Sequence, residues 1–162
     1  MRASIVFITG LLVGVGLTTV AAQRSNTPNT GLVQVNHIGM NVPDLNKAVE
    51  FYTKTMGFPE AFRVNDPATG QARLVYVQVS QNTFFEIQPR ADAPAAINHV
   101  GIHVENMAAA TEMFKQRGVN IAEIRKSDTG AVLNNVTDPN GIRIELAELG
   151  PESMHRQAMN RW

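Results

Sequence analysis

Four side chains of this 162-residue chain have the types and placement for chemistry: His37, Glu86, His99 and Glu145. The two histidines sit at the same place in a repeated octapeptide, Val35-Asn36-His37-Ile38-Gly39-Met40-Asn41-Val42 returning as Ile97-Asn98-His99-Val100-Gly101-Ile102-His103-Val104. Each is followed, at closely matched distances, by a glutamate in an alternating run, Phe84-Phe85-Glu86-Ile87-Gln88 and Ile142-Arg143-Ile144-Glu145-Leu146. Two neutral imidazoles and two carboxylates form a donor set for one divalent ion of intermediate hardness: Zn, Ni, Co, Mn or Fe. Four such ligands in an octahedral field leave two adjacent positions for water or substrate. Taken singly, a His-Gly pair on a strand reads as structural and a Glu near a strand end as solvated. Recurrence at matched positions of two halves favours the metal, and a cup without metal is the alternative.

Strand alternation places these residues on common faces. His37, Gly39 and Asn41 oppose Ile38, Met40 and Val42, while His99, Gly101 and His103 oppose Val100, Ile102 and Val104. Phe84, Glu86 and Gln88 oppose Phe85 and Ile87, and Arg143, Glu145 and Ala147 oppose Ile142, Ile144 and Leu146. Imidazoles and carboxylates recurring on one face are costly in a dry core; they fit a face that lines a wet cup or binds a cation. On that face His103 is a candidate acid/base or substrate contact, with a hydrogen-bonded or solvent-facing histidine as the alternative. Asn41 is a candidate substrate contact. Arg143 is a candidate for orienting an anionic group, or for a salt bridge to a cup carboxylate. Asn134 and Asn135 straddle one strand, so only one of them faces inward. His155 lies in the tail and reads as an exposed surface residue.

The elements that must position these groups form two copies of one unit. After each octapeptide comes a helix capped by Asp44 or Asn106 and stopped by Gly57 or Gly118. Three strand-like runs follow, Glu60–Asn65, Ala72–Ser80 and Thr83–Gln88 in the first half, and Asn120–Lys126, Ala131–Thr137 and Ile142–Leu149 in the second, separated by Asp-, Asn-, Gly- and Pro-rich turns. The pattern is β-α-β-β-β twice, over residues 32–89 and 97–149, joined by an Ala/Pro-rich linker. Residues 150–162 form a tail with a short amphipathic helix that is expected to pack on the outside.

Composition narrows the class. Fourteen basic and fourteen acidic residues balance, so nucleic acid is not an implied partner. Cysteine is absent, which excludes thiol chemistry and thiolate metal sites. Arg2, the apolar run Ile5 to Val20 and the small residues Val20-Ala21-Ala22 read as a signal peptide over residues 1–22, with Gln23 as the mature start and an uncleaved membrane anchor as the alternative. A polar leader occupies residues 23–31. The expectation is an exported domain acting on a small molecule, as a monomer or a homodimer.

The phrases His-Ile-Gly-Met-Asn-Val-Pro-Asp-Leu, Phe-Tyr-Thr-Lys-Thr-Met-Gly-Phe and Asp-Pro-Asn-Gly-Ile-Arg-Ile-Glu-Leu resemble module signatures of the vicinal oxygen chelate superfamily, the glyoxalase/bleomycin-resistance/dioxygenase group. The resemblance runs from about Leu32 to Leu149. It implies an α+β fold in which two βαβββ modules pair into a curved, barrel-like mixed sheet with helices outside and a metal within. It also implies a metal-dependent lyase, isomerase or epimerase that stabilises an enolate or related oxyanion, with Glu145 as the proton-moving ligand and Glu86 as its counterpart. Glutathione-using members carry an Arg four residues after the first ligand, where this chain has Asn41. An extradiol-type dioxygenase would use His37, His99 and Glu145 but needs three open positions, so Glu86 would have to swing away. A non-catalytic, bleomycin-resistance-type binding protein is the remaining reading, with Phe62, Tyr76 and Phe84 as apolar walls.

Overall fold

A computed structural model describes residues 31–162. The expected signal peptide lies outside the described residues, as does nearly all of the polar leader. The strands are β1 (Leu32–Val42), β2 (Glu60–Asn65), β3 (Ala72–Ser80), β4 (Thr83–Pro89), β5 (Ala96–Val104), β6 (Arg125–Lys126), β7 (Val132–Thr137) and β8 (Arg143–Glu148). The helices are α1 (Leu45–Glu50), α2 (Met107–Gln116) and α3 (Met154–Arg161). All eight strands join one curled mixed sheet in the order β2-β3-β4-β1-β5-β8-β7-β6. Each module contributes four neighbouring strands, and the modules meet where β1 pairs antiparallel with β5. Within a module the first and last strands run parallel, β1 beside β4 and β5 beside β8. This is the duplicated α+β architecture that the repeat implied.

The helix boundaries follow local chemistry. Asp44 and Asn106 accept hydrogen bonds from the backbone N–H groups of Lys47 and Ala109 at 3.0 and 2.8 Å, satisfying donors that the first turn leaves unpaired. Gly57 and Gly118 take φ of 76° and 78°, a left-handed geometry that stops each helix without a Cβ clash. The first helix departs from the expected regular run. After Glu50 it widens into a π-helical segment, Phe51–Thr55. The Thr53 hydroxyl donates to the Val49 carbonyl at 2.8 Å, and Met56 N–H reaches back to Phe51, a wider spacing than the α-helical bond.

Two expectations are corrected. The run 120–126 is a strand only at Arg125–Lys126, because the Asn134 side chain donates to the Ala122 carbonyl at 3.0 Å and takes the place of a ladder partner. The tail does form a helix, yet α3 packs inside the cup. Ala158 and Met159 join Tyr76, Phe84, Leu133 and Ala147 in one buried cluster on the site's face of the sheet. A second cluster lies on the opposite face, where α2 packs Met107 and Ala110 on Val104, Val136 and Leu146. The α3 seat is fixed by a backbone bond from Met154 N–H to Thr129 and by Arg156, which donates to the Leu149 carbonyl.

His155 is consequently buried, at 1% exposure, rather than on the surface. Neither ring nitrogen has a hydrogen-bond partner; each such burial costs roughly 1–3 kcal/mol. Offsetting this, the ring sits edge-to-face against Tyr76 and Phe62 at centroid distances of 4.6 and 4.9 Å, contacts worth about 0.5–1.5 kcal/mol each beyond area. Burial, with the neighbouring His37 adding to it, pushes the imidazole pKa down to about 3. The sign follows directly. The unfolded chain takes up a proton near pH 6.5 that the folded chain refuses until about pH 3, so stability present above pH 6.5 drains away as pH falls. The expected slope is about 1.4 kcal/mol per pH unit from this residue. Denaturant unfolding between pH 7 and 5 should show that decline in the wild-type chain and a markedly flatter profile in His155→Leu.

Candidate metal centre

Strand register delivers the four candidate ligands to one spot. Two rows of residues cross β4, β1, β5 and β8 on the cup face. One row reads Glu86, Gly39, His99, Arg143; the other reads Phe84, His37, Gly101, Glu145. Each histidine thus projects beside the glycine of the facing strand. An added Cβ at Gly39 would lie 2.0 Å from the His99 ring, and one at Gly101 would lie 2.1 Å from the His37 ring. The glycines exist to make room for the imidazoles.

The result is a buried group, His37, Glu86, His99 and Glu145, whose ligand atoms all lie within 4.8 Å of one another. His37 Nε2 is 2.9 Å from His99 Nε2, 3.2 Å from Glu86 Oε2 and 3.5 Å from Glu145 Oε1. All four residues are at most 6% exposed. Two carboxylates this deep are costly unless cations compensate them.

The hydrogen bonds behind the ligands define their proton states. Asn36 donates through Nδ2 to the Asn82 carbonyl, which leaves its Oδ1 to accept from His37 Nδ1 at 3.1 Å. The His37 Nε2 lone pair therefore points into the group. Arg143, a pure donor, meets His99 Nδ1 at 2.6 Å, so the His99 proton lies on Nε2, 3.3 Å from Glu86 Oε2. A cation that takes this nitrogen displaces that proton. Glu86 is tied down on both oxygens, by the Tyr76 hydroxyl at 2.6 Å and by the Gln88 amide. Burial pushes its pKa up, but the His99 hydrogen bond, the charges of His37 and His99 and the Tyr76 hydroxyl outweigh this and bring it to about 2. Burial, with the Glu86 charge added, pushes the Tyr76 phenol up, so it stays a donor. Glu145 is held differently, with Oε2 facing Arg125 at 3.3 Å and Arg143 at 3.6 Å along a cavity of about 300 Å³. The donor set, its convergence and its anionic character fit a divalent cation bound by all four residues.

Other expected site residues scatter. Arg143 is at the group, contacting both His99 and Glu145. Asn41 stands one step away, accepting from Asn98, which in turn accepts from Arg143. His103 is not brought to the ligands: it lines another cavity with Glu148 and Arg156, and burial, helped by Arg156, lowers its pKa. Phe62, Tyr76 and Phe84 pack around His155, and of the three Tyr76 also lines the cavity beside the glutamates. Of the asparagine pair, Asn135 accepts from Arg143 on the site's face, whereas Asn134 is buried outward against Thr111. Sequence reasoning missed Asn36, Arg125 and the role of Tyr76, named there as an apolar wall and found here as a hydrogen-bond donor to Glu86. The repeated Asn before each histidine was a usable signal for the first; nothing local marked the other two.

Residues 34–146 match the Glyoxalase/Bleomycin resistance protein/Dioxygenase superfamily, and the chain belongs to this superfamily. Among its relatives, lactoylglutathione lyase of Escherichia coli O157:H7 is 28% identical over 122 residues, covering 69% of this chain and 90% of that protein. The mitochondrial methylmalonyl-CoA epimerase of Bos taurus is 26% identical over 147 residues, covering 79% and 83%. The crystal structure of methylmalonyl-CoA epimerase from Mycobacterium tuberculosis superposes with a TM-score of 0.66 at 19% identity, over 75% of this chain and 91% of that one, a likeness of fold.

The glycine constraint is testable apart from any activity. Gly39→Ala and Gly101→Ala should each expel the facing imidazole, costing roughly 1–3 kcal/mol of stability and most of the metal affinity. Equilibrium dialysis against Zn(II) or Co(II) should find about one ion per wild-type chain and far less in either variant. Full retention by both would refute the proposed role of the glycines.

Proposed function

We propose that this protein is a metal-dependent lyase or isomerase of glyoxalase-like type, acting on a small oxygen-bearing substrate through an enolate or related oxyanion. The observation that carries the reading is the pairing of one anchored and one approachable carboxylate in a single ligand group. Both line the cavity, but Glu86 is locked on both oxygens by Tyr76 and Gln88, whereas Glu145 is held through Oε2 by Arg125 and Arg143. In a loaded site the ion supplies Lewis acidity toward a substrate carbonyl oxygen.

The chain's own groups do the rest. Glu145 accepts the proton from the carbon beside the carbonyl, and the C–H electron pair moves into the carbonyl to give the oxyanion. The same carboxyl then returns the proton, to the neighbouring carbon in an isomerisation. An epimerisation needs a proton delivered to the opposite face of the original carbon. Glu86, ionised and accepting from Tyr76 and Gln88, has none to give, so water in the cavity supplies it while Glu145 releases its own to solvent. Asn36 and Asn135 hold His37 and Arg143 in orientation, and the α3 plug keeps bulk water off the His37 side.

Relatives named as lactoylglutathione lyase and methylmalonyl-CoA epimerase support proton transfer beside a carbonyl. Asn41 in place of the glutathione-associated Arg argues against glutathione. Export, inferred from the apolar run Ile5 to Val20, also argues against glutathione and coenzyme A substrates, which are mainly cytosolic. The clamp on Glu86 also argues against an extradiol dioxygenase, which needs that position open.

Deuterium exchange into α-hydroxy and α-oxo compounds, followed by NMR in D2O alongside an oxygen electrode, tests the reaction class. The expected result is exchange without oxygen uptake, reduced about 100-fold or more in Glu145→Gln. Oxygen consumption, or exchange indifferent to Glu145, defeats the proposal.

A further inference from the structure

The cavity beside Glu86 and Glu145 carries an excess of positive charge on its outer wall. Arg125 and Arg143 both direct a guanidinium at a single oxygen, Glu145 Oε2, and Lys126 lines the same wall. The remaining acid there, Asp128, is already paired with Arg73. Arg143 also donates to Asn98 and Asn135, but Arg125, half exposed, shares that one oxygen and keeps most of its five donors for a ligand.

Loading the centre sharpens this imbalance. A divalent ion cancels the charges of Glu86 and Glu145. A His99 that binds through Nε2 carries its proton on Nδ1, which then opposes the N–H groups of Arg143 donor to donor. Arg143 thereby loses its shortest contact, 2.6 Å to His99 Nδ1. Three cations then face the cavity, with Asp128, itself paired with Arg73, as the one remaining acid in its lining.

We propose that this wall recognises the carboxylate of a small 2-oxo or 2-hydroxy acid, with Arg125 and Arg143 as the specificity-determining pair. The inference rests on the metal-centre reading above. A carboxylate accepts guanidinium donors two at a time, in a geometry and with a charge that a neutral group does not match. Because both guanidiniums lie within 3.6 Å of Glu145, the carbon next to a carboxylate seated on them is the one nearest that residue. Phe62 and Phe84 enclose His155 and do not line this cavity, whose one aromatic residue is Tyr76, engaged with Glu86.

Pyruvate and its uncharged isostere pyruvamide are suitable probes. They would be titrated calorimetrically into the full chain loaded with one divalent ion, with bound metal measured on the same samples. Pyruvate should bind at least about tenfold more tightly than pyruvamide. Arg125→Gln should lose most of that preference while keeping its metal, since this side chain is half exposed and contacts only the outer oxygen of Glu145. Arg125→Lys, which keeps the charge without the fork, should recover part of it. Equal binding of the two probes overturns the carboxylate reading and leaves the metal centre standing, as does an Arg125→Gln chain that holds metal and binds pyruvate as tightly as wild type. A wild-type chain that takes up no ion overturns the centre itself, and this inference with it.

Discussion

The antiparallel contact between β1 and β5 is the interaction on which the molecule depends. It is the seam between the two modules, and it alone sets His37 opposite Gly101 and Gly39 opposite His99. A slip of one residue would turn each histidine to the outer, helix-covered face. A slip of two would place an imidazole against a residue other than glycine. The reciprocal His–Gly pairing therefore acts as a register lock as well as a way of bringing two rings to 2.9 Å. The parallel partners β4 and β8 then need only their own alternation to present Glu86 and Glu145.

Duplication produces near-symmetry, and the departures from it are where chemistry enters. The His37 ring is backed by an amide acceptor from Asn36, the His99 ring by a cationic donor from Arg143. Glu86 is surrounded by Tyr76, Gln88 and the histidines, Glu145 by arginines next to a cavity. One half of the centre is braced and the other is approachable. Two identical halves would give two carboxylates in equivalent surroundings, which these are not.

Much of this was legible in the sequence because it depends on period and repetition. The octapeptide repeat located β1 and β5, strand alternation located the face, and the matched glutamates completed the ligand group. What stayed hidden depends on register and on residues distant in sequence. The Tyr76 bond to Glu86 follows from the pairing of β3 with β4, which alternation does not specify. The strand expected over 120–126 failed because a side chain, Asn134, replaces the ladder partner. The α3 segment looked like a surface helix because Met154–Arg161 is mostly polar; its few apolar residues happen to fall under the aromatic rings of β2, β3 and β4. His155 shows the limit plainly: nothing in its neighbours in sequence signals burial.

Among the described residues, the sheet curls without closing and ends on two edge strands, β2 and β6. Unpaired strand edges invite strand addition from other molecules, the first step toward aggregation. Here β6 is only two residues long, and both are cationic, Arg125 and Lys126. The dipeptide that charges the cavity mouth is thus also the guard of one sheet edge. A substitution at either residue would therefore change the charge of the hollow and of the strand edge together.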